Sequence, residues 1–383
     1  MMKTTANLTA EQVAILAKIA VKFAELGVEA DFVPPVAEGP IISAYRFFPT
    51  SRTRVSHLEA LASDIAVTLG VEDVLIKRLP GESAVGVFVP NAKRSFIDFK
   101  NTVNAVWTHQ ASDLRYDVPL NLGVDHLGRP AIENLAMLPH LLIAGSTGAG
   151  KSTLLSSILA TIVYIVNSNA VQLVLSDTKN VEFGHFIGAP HLLFPPATSV
   201  YQTLEQMDWV IDEMESRLKK LSKTGCRNVH EYNLICAPTG GRCTPLPFIV
   251  LVIDELADLL MDRARPSEGR GPSIGKIAES KLSTIVQKSR AAGVYVIAST
   301  QRPSVNVVIG SIKANFPARL SFRLPSEADS RTVLGFSGAE HLLSRGDMLF
   351  VSPNRPGVLR LHAPYASITD IQAAVEAAIQ RSV

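Results

Sequence analysis

Three cysteines in 383 residues are too few to brace a fold of this size, so the chain is no disulfide scaffold. The spacing of Cys226, Cys236 and Cys243 fits no zinc pattern, and free thiols in a reducing, cytoplasmic setting are expected. No His-Glu-x-x-His occurs, which removes that class of metal hydrolase. No apolar run reaches the roughly 18 residues of a membrane helix. The opening stretch MMKTTANLTAEQ lacks the apolar segment of a secretory signal. Charge excess is missing as well: 37 Lys plus Arg stand against 35 Asp plus Glu, a net +2. A polyanion partner would therefore have to meet a local patch. Apolar residues are plentiful at 47% against 19% charged, which is the composition of a core-forming chain. At about 150 residues per domain the length suits two domains.

The first segment reads as a small α+β domain. Thr9 and Gln12 form a capping-box pair at the start of a helix that Gly27 stops. Strand-like runs follow at Glu29–Val33 and Pro40–Phe48, then a helix over Val55–Gly70, then strands at Val74–Leu79 and Ala84–Val89. Nothing in this segment carries recognisable chemistry, and it reads as scaffold or assembly surface. From about Leu138 apolar strand-length runs alternate with helices: Leu141–Ala144, Gln172–Ser176, Phe248–Ile253 and Val294–Ala298. That pattern predicts an α/β domain around a buried, mostly parallel sheet. The expected division is 1–130 and 131–383.

Gly145-Ser146-Thr147-Gly148-Ala149-Gly150-Lys151-Ser152 matches G-x-x-x-x-G-K-S in full, after one strand and before a helix that takes in Thr153. The glycines let backbone amides curl around phosphate, and the helix N-terminus adds partial positive charge. Lys151, expected on an exposed loop, would reach the β- and γ-phosphates of ATP, and the Ser152 hydroxyl would ligate Mg²⁺. The partner motif is Phe248–Ile253 followed by Asp254 and Glu255. Two carboxylates at the carboxyl end of a buried strand stand where α/β sheets bind ligands. Asp254 is the candidate Mg²⁺ residue and Glu255 the candidate base for the attacking water. Gln301, in the Thr300-Gln301-Arg302 exit of another core strand, reads as a γ-phosphate sensor or as a plain polar strand end. From Lys281 to Pro325 there is no acidic residue, while seven basic ones occur. Such asymmetry marks an anion-facing surface.

In order along the chain, the phosphate loop, Asp254-Glu255-Leu256-Ala257-Asp258, Lys288-Ser289-Arg290-Ala291-Ala292-Gly293 and Ala298-Ser299-Thr300-Gln301-Arg302-Pro303-Ser304 resemble the FtsK/SpoIIIE family of DNA-translocating motors. So do Ile312-Lys313-Ala314-Asn315, Asp329-Ser330-Arg331-Thr332 and Gly346-Asp347-Met348-Leu349. A fainter likeness to that family's α-domain runs from Gly39 through Arg46 and from Ile76 to Pro90. The resemblance implies a RecA-like phosphate-loop NTPase domain on an α-domain, assembled as a homohexameric ring around double-stranded DNA with ATP between neighbours. It implies Arg290 as the arginine finger, with Arg302 and Arg319 in reserve. Arg302, Lys313 and Arg331 would face the channel and touch DNA phosphates. The chain departs from the larger members in lacking their membrane helices and winged-helix module, in a 262–275 stretch that looks inserted, and in Glu327 near a motif that often carries Lys. An ATPase driving protein secretion is the alternative, and a nucleotide-gated assembly module is a further one.

Overall fold

The computed structural model describes residues 8–50, 53–79, 82–112, 117–236, 243–265, 271–304, 307–308 and 310–382. Its first unit is an antiparallel sheet in the order β1-β2-β4-β3, from β1 (Ala30–Glu38), β2 (Ile42–Pro49), β3 (Leu75–Arg78) and β4 (Val85–Pro90). Helix α1 (Ala10–Glu25) begins at the expected capping box: the Thr9 hydroxyl accepts from the Gln12 amide at 3.2 Å, and the Gln12 side chain accepts from the Thr9 amide at 3.1 Å. The helix expected over Val55–Gly70 is two helices, α2 (Val55–Ala60) and α3 (Ala62–Leu69). Leu61 leaves helical geometry between them, and this lets Leu58, Leu61 and Ile65 press into one apolar cluster with Phe23 and Phe47.

The second unit follows β5 (Ile97–Asp98) and α4 (Phe99–Ser112). Its first strands are β6 (Pro119–Asp125), β7 (Pro130–Asn134), β8 (His140–Ala144), β9 (Val171–Ser176), β10 (Phe248–Ile253) and β11 (Val294–Thr300). Further on come β12 (Ala318–Phe322), β13 (Asp347–Ser352) and β14 (Arg355–His362), while β15 (Pro364–Tyr365) pairs with β5. The nine-stranded order is β7-β6-β14-β13-β12-β8-β11-β10-β9. Strands β9, β10, β11, β8 and β12 run parallel, as the apolar runs predict. The rest of the sheet is antiparallel. The boundary drawn at residues 130 and 131 runs between β6 and β7, which pair with each other in this larger sheet.

Helix α5 (Lys151–Ile165) is buried almost all round on one face of the sheet, its Ser156, Ser157 and Thr161 included, with α12 (Ile368–Ser382) packed on it. The other face is covered by α6 (Val200–Thr224) and by α9 (Ile274–Lys288), joined to the site by the short α8 (Leu256–Leu260). Of the small helices, α7 (Val229–Cys236) packs against α6, α10 (Gly310–Asn315) against α9, and α11 (Glu327–Leu334) against β12. The two units share an apolar layer in which Ile42, Leu75 and Phe88 meet Ala144, Val333 and Leu349. Two polar contacts rim it: Arg323 to Glu72 at 2.9 Å, and His341 Nδ1 to Asp73 at 3.1 Å.

The expectation of three free thiols is corrected. Cys236 and Cys243 form a disulfide across residues 237–242, which lie outside the described residues, and Cys226 is free and buried. The cause is spatial: the chain returns from the end of α7 so that the two Cα atoms stand 5.3 Å apart. Residues 266–270 of the 262–275 stretch also lie outside the described residues.

Candidate nucleotide site and basic face

The phosphate loop is shaped by its neighbours as well as by its glycines. A Cβ on Gly145 would stand 2.7 Å from the Phe322 Cβ, and one on Gly150, at φ +118°, would stand 2.9 Å from the Gly346 nitrogen. Only glycine permits that approach and that φ. The Gly145 amide donates to the Thr300 carbonyl at 3.2 Å, the Ser146 amide to Arg323 at 3.0 Å, and the Gly346 amide to Ala149 at 2.9 Å. The loop is thus braced by the exits of β11 and β12 and by the approach to β13.

A cavity of about 380 Å³ opens above it. The phosphate-loop residues Ser146, Thr147, Gly148, Gly150, Lys151, Ser152 and Thr153 form one wall, Gln301 and Arg345 stand at its edge, and Ile41, Phe96, Ile97 and Tyr365 form an apolar wall. Ile41 comes from the small antiparallel unit, which the sequence reading left without chemistry.

Lys151 is not exposed as expected: it is 3% accessible. Its Nζ donates to Asp254 Oδ1 at 2.8 Å, to the Asp254 carbonyl at 2.9 Å and to Ser299 Oγ at 3.0 Å. The reason is topological: β11 lies between β8 and β10, so its end closes over the lysine at the start of α5. Glu255 is equally buried. Its carboxylate accepts from the Thr300 hydroxyl at 2.7 Å and from the Gln301 amide at 3.0 Å. The Gln301 side-chain oxygen accepts from the Thr147 hydroxyl at 2.8 Å. Ser299, Thr300 and Gln301 therefore reach Lys151, Glu255 and the phosphate loop in turn.

Two cations at this site escaped the sequence reading. Lys179, in the loop after β9, lies 3.9 Å from Glu255 and 3.6 Å from Asp258. Arg345 holds a left-handed backbone, φ 67°, at the cavity edge. A non-glycine residue at positive φ directly before a Gly-Asp motif was the available signal for the second; nothing local marks the first.

Arg290 is exposed in the turn that follows α9. Its charge is felt by His140 and Tyr295, at the amino ends of β8 and β11, whereas the phosphate loop leaves the carboxyl end of β8. Five residues at about 3.3 Å each separate the two edges by roughly 15 Å. Arg290 is thus not brought to its own phosphate loop.

The basic stretch is acid-free along the chain but not in space. Lys281 pairs with Asp208, Arg323 with Glu72, and Arg319 spends its guanidinium on the carbonyls of Phe316 and Lys313. Arg302 is exposed. Lys313 Nζ rests 3.0 Å from the Arg331 carbonyl, which brings those two residues together, and Arg331 is held by Glu327 at 2.6 Å. Burial, and then the charge of Arg319, lower the Lys313 pKa.

The FtsK/SpoIIIE family model matches residues 102–305, and the FtsK alpha domain model matches residues 2–91. The chain belongs to the FtsK/SpoIIIE family. The family match along residues 102–305 takes in both the phosphate loop and the Asp254-Glu255 pair that faces it. "DNA translocase FtsK 2" of Ralstonia nicotianae is 36% identical over 374 residues, covering 93% of this chain and 46% of that protein. "DNA translocase FtsK" of Pseudomonas aeruginosa is 35% identical over 378 residues, covering 93% and 45%. The chain therefore spans about half the length of the curated relatives it matches. Among solved structures, the pCW3 conjugation coupling protein TcpA, in its monomer form with ATPγS, superposes with a TM-score of 0.65 at 22% identity, over 96% of this chain and 99% of that one. The type VII secretion ATPase EccC of Thermomonospora curvata gives 0.58 at 21%, over 69% and 31%. At these identities the two show a shared fold. No described helix is long and apolar enough to cross a membrane.

Proposed function

We propose that this chain is the motor of an ATP-driven double-stranded-DNA translocase, working as a ring of identical subunits, six by family resemblance, with ATP hydrolysed between neighbours. The observation that carries the reading is the complete phosphate-loop site joined, on one chain, to relatives named as DNA translocases along 93% of its length. The placement of Arg290 supports hydrolysis between subunits, because a guanidinium on the far edge of the sheet is free to enter a neighbour's site. The grouping of Lys313 with Arg331, and the exposed Arg302, support a phosphate track: such contacts position a protein on DNA without reading its bases.

In this reading Lys151 leaves Asp254 for the β- and γ-phosphates, Gln301 senses the γ-phosphate, and Glu255 accepts a proton from the attacking water. Ser152 and Asp254 would hold Mg²⁺. One hydroxyl and one carboxylate fit an ion that takes its other ligands from phosphate and water. When bound it would neutralise phosphate charge. Phe96 and Tyr365, with ring centroids 6.4 Å apart on the cavity's apolar wall, are suited to the base.

The test is steady-state ATP hydrolysis with and without duplex DNA, and with an unstructured polypeptide as control. Duplex-dependent acceleration is expected. Acceleration by the polypeptide alone would favour a secretion motor, and indifference to both would remove the translocase reading.

A further inference from the structure

Both oxygens of the Glu255 carboxylate are occupied. Oε1 receives the Thr300 hydroxyl at 2.7 Å and the Ala257 amide at 3.2 Å; Oε2 receives the Gln301 amide at 3.0 Å, with Lys179 3.9 Å away. A carboxylate offers about four acceptor positions, and a base must aim a free one at the water it deprotonates. Two of the donors sit on the exit of β11. The Thr300 hydroxyl is itself an acceptor for the Arg302 amide at 3.0 Å. An unbroken line therefore runs from the Arg302 backbone, through the Thr300 hydroxyl, to the candidate base. Strand β11 is pinned to β10 as far as Ala298 and to β8 as far as Thr300, whose carbonyl also receives the Gly145 amide, so a pull on the Arg302 loop reaches Glu255 through the Gln301 amide and the Thr300 hydroxyl.

We infer that Thr300, aided by the Gln301 amide, holds Glu255 in a resting position, and that duplex DNA drawn onto the Arg302 loop releases it. The inference rests on the DNA-motor reading above and names its regulation. Thr300 is a positioning residue, because it acts through Glu255 and is fully buried away from solvent. In this arrangement hydrolysis is held back until the track is present.

The experiment is ATP turnover by the full chain, with and without saturating duplex, for wild type, Thr300→Val, Thr300→Ala and Thr300→Ser. Without DNA, the Val and Ala variants should turn over about ten- to a hundredfold faster than wild type, the scale set by one lost hydrogen bond to a charged group. Their DNA-saturated rates should stay near wild type, so the ratio of stimulated to unstimulated rate falls. Thr300→Ser keeps the hydroxyl and should restore the wild-type ratio. The Ala variant guards against a Val methyl that distorts the site. A DNA-free rate that is unchanged or lower in both hydroxyl-less variants, with wild type still stimulated by duplex, would overturn the restraint and leave the DNA reading standing. A wild type indifferent to duplex would overturn the release by DNA, while the DNA-free rates of the variants would still decide whether Thr300 restrains the base.

Discussion

Lys151 and Asp254 are 3% and 2% accessible, and each is the other's counter-charge. Removing one partner of such a pair leaves an uncompensated buried charge, at a cost of about 3–5 kcal/mol. Lys151→Ala should therefore do two things: abolish ATP turnover and lower the melting temperature. The pairing of lysine with aspartate predicts something further. Adding Asp254→Asn to Lys151→Ala should recover part of the lost stability, because the stranded charge is gone. Thermal denaturation of the two variants checks this. A double variant that melts below the single one would mean that Asp254 is held by something other than Lys151. In the proposed reading the same pair would couple binding to chemistry, because Lys151 Nζ has three acceptors at rest and must release at least one of them to serve phosphate.

At the scale of elements, α11 carries its own opposition to a polyanion. Glu327 lies in its first turn and clamps Arg331 one turn on, at 2.6 Å. Glu327→Lys should free Arg331 and add a charge, so duplex affinity rises and the log-affinity against log-salt slope steepens, by about 0.9 per added phosphate contact. It should also cost the helix about 0.3–1 kcal/mol, because a cation replaces an anion at a helix N-terminus. Affinity across a salt series and a melting curve test the two halves separately; unchanged affinity would take this helix off the track.

Elements also show what a sequence can disclose. The α1 capping box was legible because its partners lie three residues apart, and the phosphate loop because its signature is one unbroken run from Gly145 to Ser152. So were the parallel strands, whose apolar runs reflect burial on both faces. The division at Leu61 was not, since a helix gives way there to tertiary packing of Leu58 and Ile65. Nor was the place of β6, which joins the large sheet by pairing Val124 with His362, far along the chain. The ties of Thr300 to Glu255 and of Lys179 to Asp258 were hidden for the same reason: strand order creates them. The disulfide needed a turn that nothing local prescribes.

For the whole molecule, acid should act through the core. His362 is fully buried and neither ring nitrogen has a hydrogen-bond partner among the described residues; burial lowers its pKa from 6.5 to about 4. The unfolded chain takes up the proton first, so stability is full above pH 6.5 and is lost as pH falls from there toward 4. His140 behaves alike, also at about 4. His362→Leu should flatten this decline, read as a smaller fall in melting temperature between mildly alkaline and mildly acid buffer; an undiminished fall would put the acid sensitivity elsewhere. His341 has the opposite sign. Its hydrogen bond to Asp73 raises its pKa, so the contact between the two units is strongest below 6.5 and fades as pH climbs through the raised value.

Arg290 supplies the last expectation. Arg290→Ala should lose turnover while still binding nucleotide, and mixing it with Lys151→Ala chains should restore some activity, each donating what the other lacks. Failure at every ratio, with Arg290→Ala unable to bind ATP, would confine Arg290 to its own chain. The position of that arginine also has a consequence for growth. If one edge of the sheet offers the finger and the opposite edge receives it, then every contact joins unlike surfaces, head to tail, and a pair of copies always leaves one of each unsatisfied. Such an assembly has no natural stopping point at two. It ends only when the turn per copy brings the last head to the first tail, and otherwise climbs as an open spiral.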